Sequence, residues 1–168
     1  SMRHSPVSGR GVLFAVLIVA ASFLATAAQS RVENFGLKDQ GDKYVEVNFP
    51  SDRPVVLTFG DRKGSKQIEG WSAPIFRKFD GKIYMFGIAS LGGVPSYARG
   101  LVRRLIKRQT QFPVLLDWGG KVAANFGYEK DKALVVLIGK NGTVLMKETG
   151  AASDIELGKI FSEIEKLL

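Results

Sequence analysis

The chain contains no cysteine, and its one histidine, His4, lies ahead of a long apolar run. Thiol chemistry is therefore excluded throughout: no disulfide, no thiolate nucleophile and no thiolate-held metal. Beyond residue 28 imidazole chemistry is excluded as well, which removes the base that a serine nucleophile needs. Carboxylates give little in exchange. The 16 Asp and Glu residues are too scattered to nominate an acid–base pair, Asp61 with Glu69 across a helical turn being the pair considered. Without His or Cys clusters no metal site and no cofactor is expected.

Acids are also missing from the first 28 residues. Arg3, His4 and Arg10 make a basic start, Val12 to Ala25 is apolar without a charge, and Ala25-Thr26-Ala27 supplies small residues. That order is the order of a secretory signal. The apolar stretch to Ala28 also approaches the roughly 20 residues that span a bilayer. Residues 1–28 are therefore expected to be a signal peptide or an N-terminal membrane anchor. Both imply an exported protein, periplasmic or extracellular, with residues 12–28 as the anchor in the second case. A cysteine-free chain is compatible with export, because a core of this size needs no disulfides.

Of 24 Lys and Arg, two fall in residues 1–28 and none of the 16 acids do, so the remainder carries a net charge of +6. Such a charge serves solubility or attracts anionic partners. Export argues against nucleic acid, and the basic stretches lack interleaved aromatics for base stacking.

What is present is patterned as one domain over residues 32–168. Tyr44 to Phe49 alternates, with Val45, Val47 and Phe49 on one face, and predicts a strand. Pro54 to Gly60 and Lys82 to Ser90 are continuous apolar runs, expected as strands buried on both faces. Between them Ile68, Trp71, Ile75 and Phe79 form a helical stripe in which Pro74 should introduce a kink. A helix is predicted from Ser96 to Thr110, with Leu101, Val102, Leu105 and Ile106 on its apolar face. Pro113 to Asp117 reads as a strand and Lys121 to Phe126 as a short helix. A hairpin turns at Lys140-Asn141-Gly142. Ser153 and Glu156 form a capping box for a last helix lined by Leu157, Ile160, Phe161, Ile164 and Leu168. Early helical crossovers and a late hairpin imply a central mixed sheet.

The segments FGLKDQGDKYVEVNF, PVVLTFG, the Pro74 helix, FPVLLDWGGKVAANFGY and VVLIGKNGTVLMKETG, in this order, cover nearly all of residues 32–168. In that order the chain resembles the thioredoxin-like superfamily, in particular its exported redoxin and peroxiredoxin-like branch. The resemblance implies an α/β fold, a three-layer α/β/α sandwich around a central mixed sheet. It also implies a reactive Cys-x-x-Cys or single cysteine between the PVVLTFG strand and its helix. Counted from the strand, that pair falls on Gly64 and Gln67; counted back from Pro74, it falls nearer Lys66 and Glu69. Neither register holds sulfur. The cis-proline of the family falls near Ala133, where this chain reads Lys132-Ala133.

The stretch between strand and helix remains the most site-like. Amides at a helix start accept anions, Arg62, Lys63 and Lys66 add charge, and Gly64 permits close approach. Asp61, Arg62, Lys63, Gly64, Ser65, Lys66 and Lys132 are the candidate ligand or partner contacts; a solvated turn is the plainer alternative. Arg99, Arg103, Arg104, Lys107 and Arg108 make a candidate basic surface, for an anionic membrane or for water alone. Trp71 is expected in the core, whereas Trp118 is either core or a partner anchor. The expected function is an exported thioredoxin-like domain without redox-active cysteines, a non-catalytic binding or assembly module with a protein partner in the cell envelope. The alternative is an enzyme of a non-thiol class. It would act on a small anion at Asp61–Lys66, with Asp61, Ser65 or Glu69 doing the chemistry.

Overall fold

The computed structural model describes residues 29–168; the expected signal or anchor at residues 1–28 lies outside the described residues. Two antiparallel strands open the fold, β1 (Phe35–Lys38) and β2 (Tyr44–Val47). Asp39 makes the tight turn between them. Its Oδ1 accepts the amides of Gly41 at 2.7 Å and Lys43 at 3.0 Å, and Asp42 takes a left-handed φ of 68°. Sequence periodicity misses β1, because FGLK is short and carries a glycine.

The main sheet has the order β5-β4-β3-β6-β7. Its members are β3 (Val55–Gly60), β4 (Tyr84–Ser90), β5 (Val114–Asp117), β6 (Leu134–Ile138) and β7 (Val144–Thr149). β3 pairs in parallel with β4, and β4 with β5; β3 with β6 and β6 with β7 are antiparallel. The mixed sheet predicted from the crossovers is thus observed. Every residue of β3 and β6 is buried, as continuous apolar runs require.

Alternation along β3 separates two apolar clusters. Val55, Leu57 and Phe59 face one side, where the β1–β2 hairpin and α3 (Lys121–Asn125) cover them through Leu37, Val45, Val47 and Ala123. Val56 faces the other, beneath α1 (Ser65–Phe79) and α4 (Asp154–Glu165), which contribute Trp71, Ile75, Phe79, Ile160 and Ile164. The stripe expected on α1 is therefore the buried one, and the helix is assigned without a break across Pro74. The capping box of α4 is formed as predicted: Ser153 accepts the Glu156 amide, and the Glu156 carboxylate accepts the Ser153 amide at 3.0 Å. Leu168, expected on the apolar face of this helix, is exposed beyond its end.

Two expectations need correction. The Ser96–Thr110 helix divides into a 3-10 turn at Ser96–Ala98 and α2 (Arg99–Gln109), which buries no residue and joins neither cluster. Its apolar stripe is split, Val102 and Ile106 partly buried and Leu101 and Leu105 exposed. As a result β4, expected to be buried on both faces, is mostly half-covered, with only Ile88 fully buried. Among the described residues no helix is long and apolar enough to cross a membrane.

Trp71 is fully buried and its indole N–H donates to the Gly150 carbonyl at 2.8 Å. Replacing Trp71 by Phe keeps the ring burial but orphans that carbonyl, a loss expected to cost about 1–3 kcal/mol. Urea titration checks this, with the midpoint lowered and the slope unchanged.

Candidate functional site

The end of β3 runs into α1 through Asp61–Gly64, and bare backbone on both sides makes the junction tight. A Cβ at Gly60 would lie 2.8 Å from the Ser65 nitrogen, and one at Gly64 would lie 2.2 Å from the Lys132 carbonyl oxygen. Gly64 has an ordinary helical φ of −61°. Its absent side chain therefore serves space, not backbone conformation.

Asp61 organises this junction. Its Oδ1 accepts the amides of Gly64 at 2.8 Å and Lys63 at 3.1 Å, and its Oδ2 accepts the Asp131 amide at 2.8 Å. Its own amide donates to the Tyr128 hydroxyl at 2.8 Å. Partial burial works against ionisation of the Asp61 carboxyl, but the Gly64, Asp131 and Lys63 amides and the Tyr128 side chain outweigh it. They hold the pKa below the usual aspartate value. Burial, with the neighbouring charges of Asp61 and Asp131, pushes the Tyr128 phenol up to about 12.

This arrangement changes the reading of the helix start. Beyond the two amides held by the Asp61 carboxylate, Ser65 N–H donates to the Asp61 carbonyl, Lys66 N–H to Lys63 and Gln67 N–H to Gly64. From Lys63 to Gln67 each amide is taken within the chain, so the anion expected at these donors is replaced by the protein's own carboxylate. The Ser65 hydroxyl donates to the Arg62 carbonyl at 3.0 Å and has no base beside it. Glu69 is exposed on α1, and no hydrogen bond or ion pair joins it to Asp61 among the described residues. The acid–base pairing considered for them is not formed.

Gln67 faces the loop before β6, and its Oε1 accepts the buried Ala133 amide at 2.9 Å. Of the two registers for the missing cysteines, Gly64 and Gln67 are therefore the pair that meets Lys132-Ala133, while Lys66 is exposed beside the exposed Glu69. A proline at 133 could not donate this hydrogen bond. The cis peptide among the described residues is Phe49–Pro50, after β2.

The candidate cations sort by partner. Lys63 pairs with Asp131 at 3.4 Å and Lys132 with Glu129 at 3.0 Å. Arg62 and Lys66 are exposed and make no ion pair among the described residues. On α2, Arg103 turns inward toward Asp42 at 3.8 Å, and Arg99 lies over the Trp118 ring at 5.5 Å. Arg99, Arg104, Lys107 and Arg108 are exposed, and of the five only Arg103 is partly buried. Trp118 is partly buried under Arg99 and belongs to neither apolar cluster. Tyr128 and Asp131 were not singled out from the sequence. A Gly-Tyr step after a short helix and a left-handed Asp131 at φ 66° carry no signal of their partner across the sheet. Among the described residues no group of three or more His, Cys, Asp or Glu side chains is placed to hold a metal ion.

No protein-family profile and no curated protein matches the sequence. Solved structures do. The pneumococcal exposed lipoprotein thioredoxin Etrx1 from Streptococcus pneumoniae is 20% identical, covering 80% of this chain and 100% of its own at a TM-score of 0.63. The peroxidoxin BcpB from Mycobacterium tuberculosis is 20% identical over 83% of this chain and 97% of its own, with a TM-score of 0.58. StoA from Bacillus subtilis is 11% identical over 76% and 95%, with a TM-score of 0.55. The fold is thus thioredoxin-like, as the order of segments implies. On that fold this chain carries no cysteine.

Two outcomes test the junction. Gly64→Ala is expected to destabilise by about 1–3 kcal/mol through forced overpacking, whereas Gly93→Ala, with open space around it, should be close to neutral. Thermal melts of the two variants make the comparison. For Asp61, the folded pKa lies below the ordinary aspartate value. Its contribution is therefore complete above that value and is lost as pH falls through the folded pKa. Asp61→Asn should lower stability at neutral pH and flatten the acid limb of stability measured from pH ~6 to ~2.

Proposed function

We propose that this protein is an exported, non-catalytic binding or assembly module. Its contact surface is the rim formed by Arg62, Lys63, Lys66 and Lys132 around the Asp61 junction. The observation that carries the reading is the double closure of that junction. Gly64 packs against the Lys132 carbonyl, and Gln67 holds the Ala133 amide, so the space where a thiol chemistry would work is filled by backbone and by an amide side chain. Sequence supports export through the basic, apolar and small-residue order of residues 1–28, and one similar structure is of an exposed lipoprotein.

The partner fitting this rim is an envelope protein that presents carboxylates to Arg62 and Lys66, the two rim cations without an ion pair among the described residues. The small-anion enzyme is not advanced, because the amides it relies on are occupied.

In-cell crosslinking from a photoreactive residue at position 132, with mass spectrometry of the product, tests this. One reproducible envelope protein is expected, lost when Arg62→Glu and Lys66→Glu are combined. Capture that survives the charge reversal would refute the rim. Peroxide or disulfide turnover by the pure protein would refute the non-catalytic reading.

A further inference from the structure

A second surface, separate from the Asp61 rim, has its own chemistry. At 3.6 residues per turn, Leu101, Arg104, Leu105 and Arg108 fall on one side of α2, at positions i, i+3, i+4 and i+7. All four are exposed, with Leu101 at 54% and Leu105 at 45%. Tyr97, one turn earlier in the preceding 3-10 segment, is 89% exposed, and Phe112 just beyond the helix is 73% exposed. Lys107 adds a third outward cation. From Gly81 to Leu116 the chain has no Asp or Glu.

The inward side of the same helix explains why the leucines are out. Val102 and Ile106 take the inner positions, and Arg103 reaches the β1–β2 turn through Asp42. Among the described residues Leu101 and Leu105 therefore have no apolar surface to bury against.

We infer that the outer face of α2 is a docking surface for an anionic lipid bilayer. Tyr97, Leu101, Leu105 and Phe112 enter the headgroup boundary, while Arg104, Lys107 and Arg108 contact lipid phosphates. An in-plane helix with alternating leucine and cation satisfies both groups at once, since apolar side chains lose water where the cations meet phosphate. A second copy of the chain does not fit, because two acid-free helices would oppose like charges. Nucleic acid would leave the two leucines in water. The inference is independent of the rim described above, and either stands if the other fails.

The cysteine-free chain allows a local test. Tyr97→Cys introduces one thiol for an environment-sensitive fluorophore in the full-length protein. This reports α2 alone, whatever residues 1–28 do at a membrane. On vesicles of phosphatidylglycerol and phosphatidylcholine in about equal parts, the emission is expected to shift to the blue. Phosphatidylcholine alone should give no shift, and high salt should reverse it. Each cation removed should weaken the lipid titration roughly five-fold, so Arg104→Gln/Lys107→Gln/Arg108→Gln together should cost about a hundred-fold. Leu101→Ser/Leu105→Ser, also at exposed positions, should weaken it independently; circular dichroism verifies that both variants are folded. Several results would overturn the inference. They are no shift on anionic vesicles, an equal shift on phosphatidylcholine, and an undiminished titration in the triple variant. A shift without lipid that grows with protein concentration, or one produced by an acidic polypeptide in place of lipid, would overturn it too.

Discussion

Three backbone amides converge on the carboxylate of Asp61, two from the start of α1 and one from Asp131 in the loop that leads into β6. The convergence joins segments some seventy positions apart at the C-terminal end of the central strand. Its strength comes from charge-assisted hydrogen bonds in a partly dehydrated place, where such bonds are stronger than neutral ones. Asp61 stands just beyond β3, so its carboxylate ties the turn that enters α1 to the loop that enters β6. From that turn α1 carries Trp71, Ile75 and Phe79 into the cluster that holds Val56 and, from α4, Ile160 and Ile164.

The same junction explains how a thioredoxin-like fold is complete without a thiol. A reactive cysteine at a helix start draws its acidity from unsatisfied amides. Here those amides face a carboxylate built into the chain, and the position opposite is held by Gln67 through the Ala133 amide. A helix start whose amides find no partner is left with orphaned donors, each an unfavourable vacancy. Asp61, Gln67 and the bare Gly64 resolve that problem with ordinary hydrogen bonds and close backbone contact.

Much of the fold was legible because its signals are local. VVLTFG is apolar but for Thr58, is buried at every step and lies in the middle of the sheet; Asn141-Gly142 turns the hairpin, with Gly142 at φ 87°; Ser153 and Glu156 cap α4 reciprocally. The closure of the site was not legible. Contact between the Gly64 backbone and the Lys132 carbonyl involves no side chain, so no residue type at position 132 announces it. For α2, periodicity finds a stripe of four apolar residues but cannot say which pair faces the protein. The contact that orients the helix, Arg103 with Asp42, comes from a different part of the chain. β1 escaped because a four-residue strand with a glycine has too few positions for alternation to emerge.

The position of β3 has a consequence in time. It is the first long strand of the main sheet to be synthesised, yet it lies in the middle, between β4 and β6. Its last neighbour arrives late: Val55 aligns with Ile138, and Asp61 waits for Asp131. Until Leu134–Ile138 has emerged, this strand, apolar but for Thr58, has one open edge and the junction beside it has no latch. Such non-local closure slows folding. Until it is made, the strand at the centre of the sheet is a transient edge, open to pairing with the wrong strand.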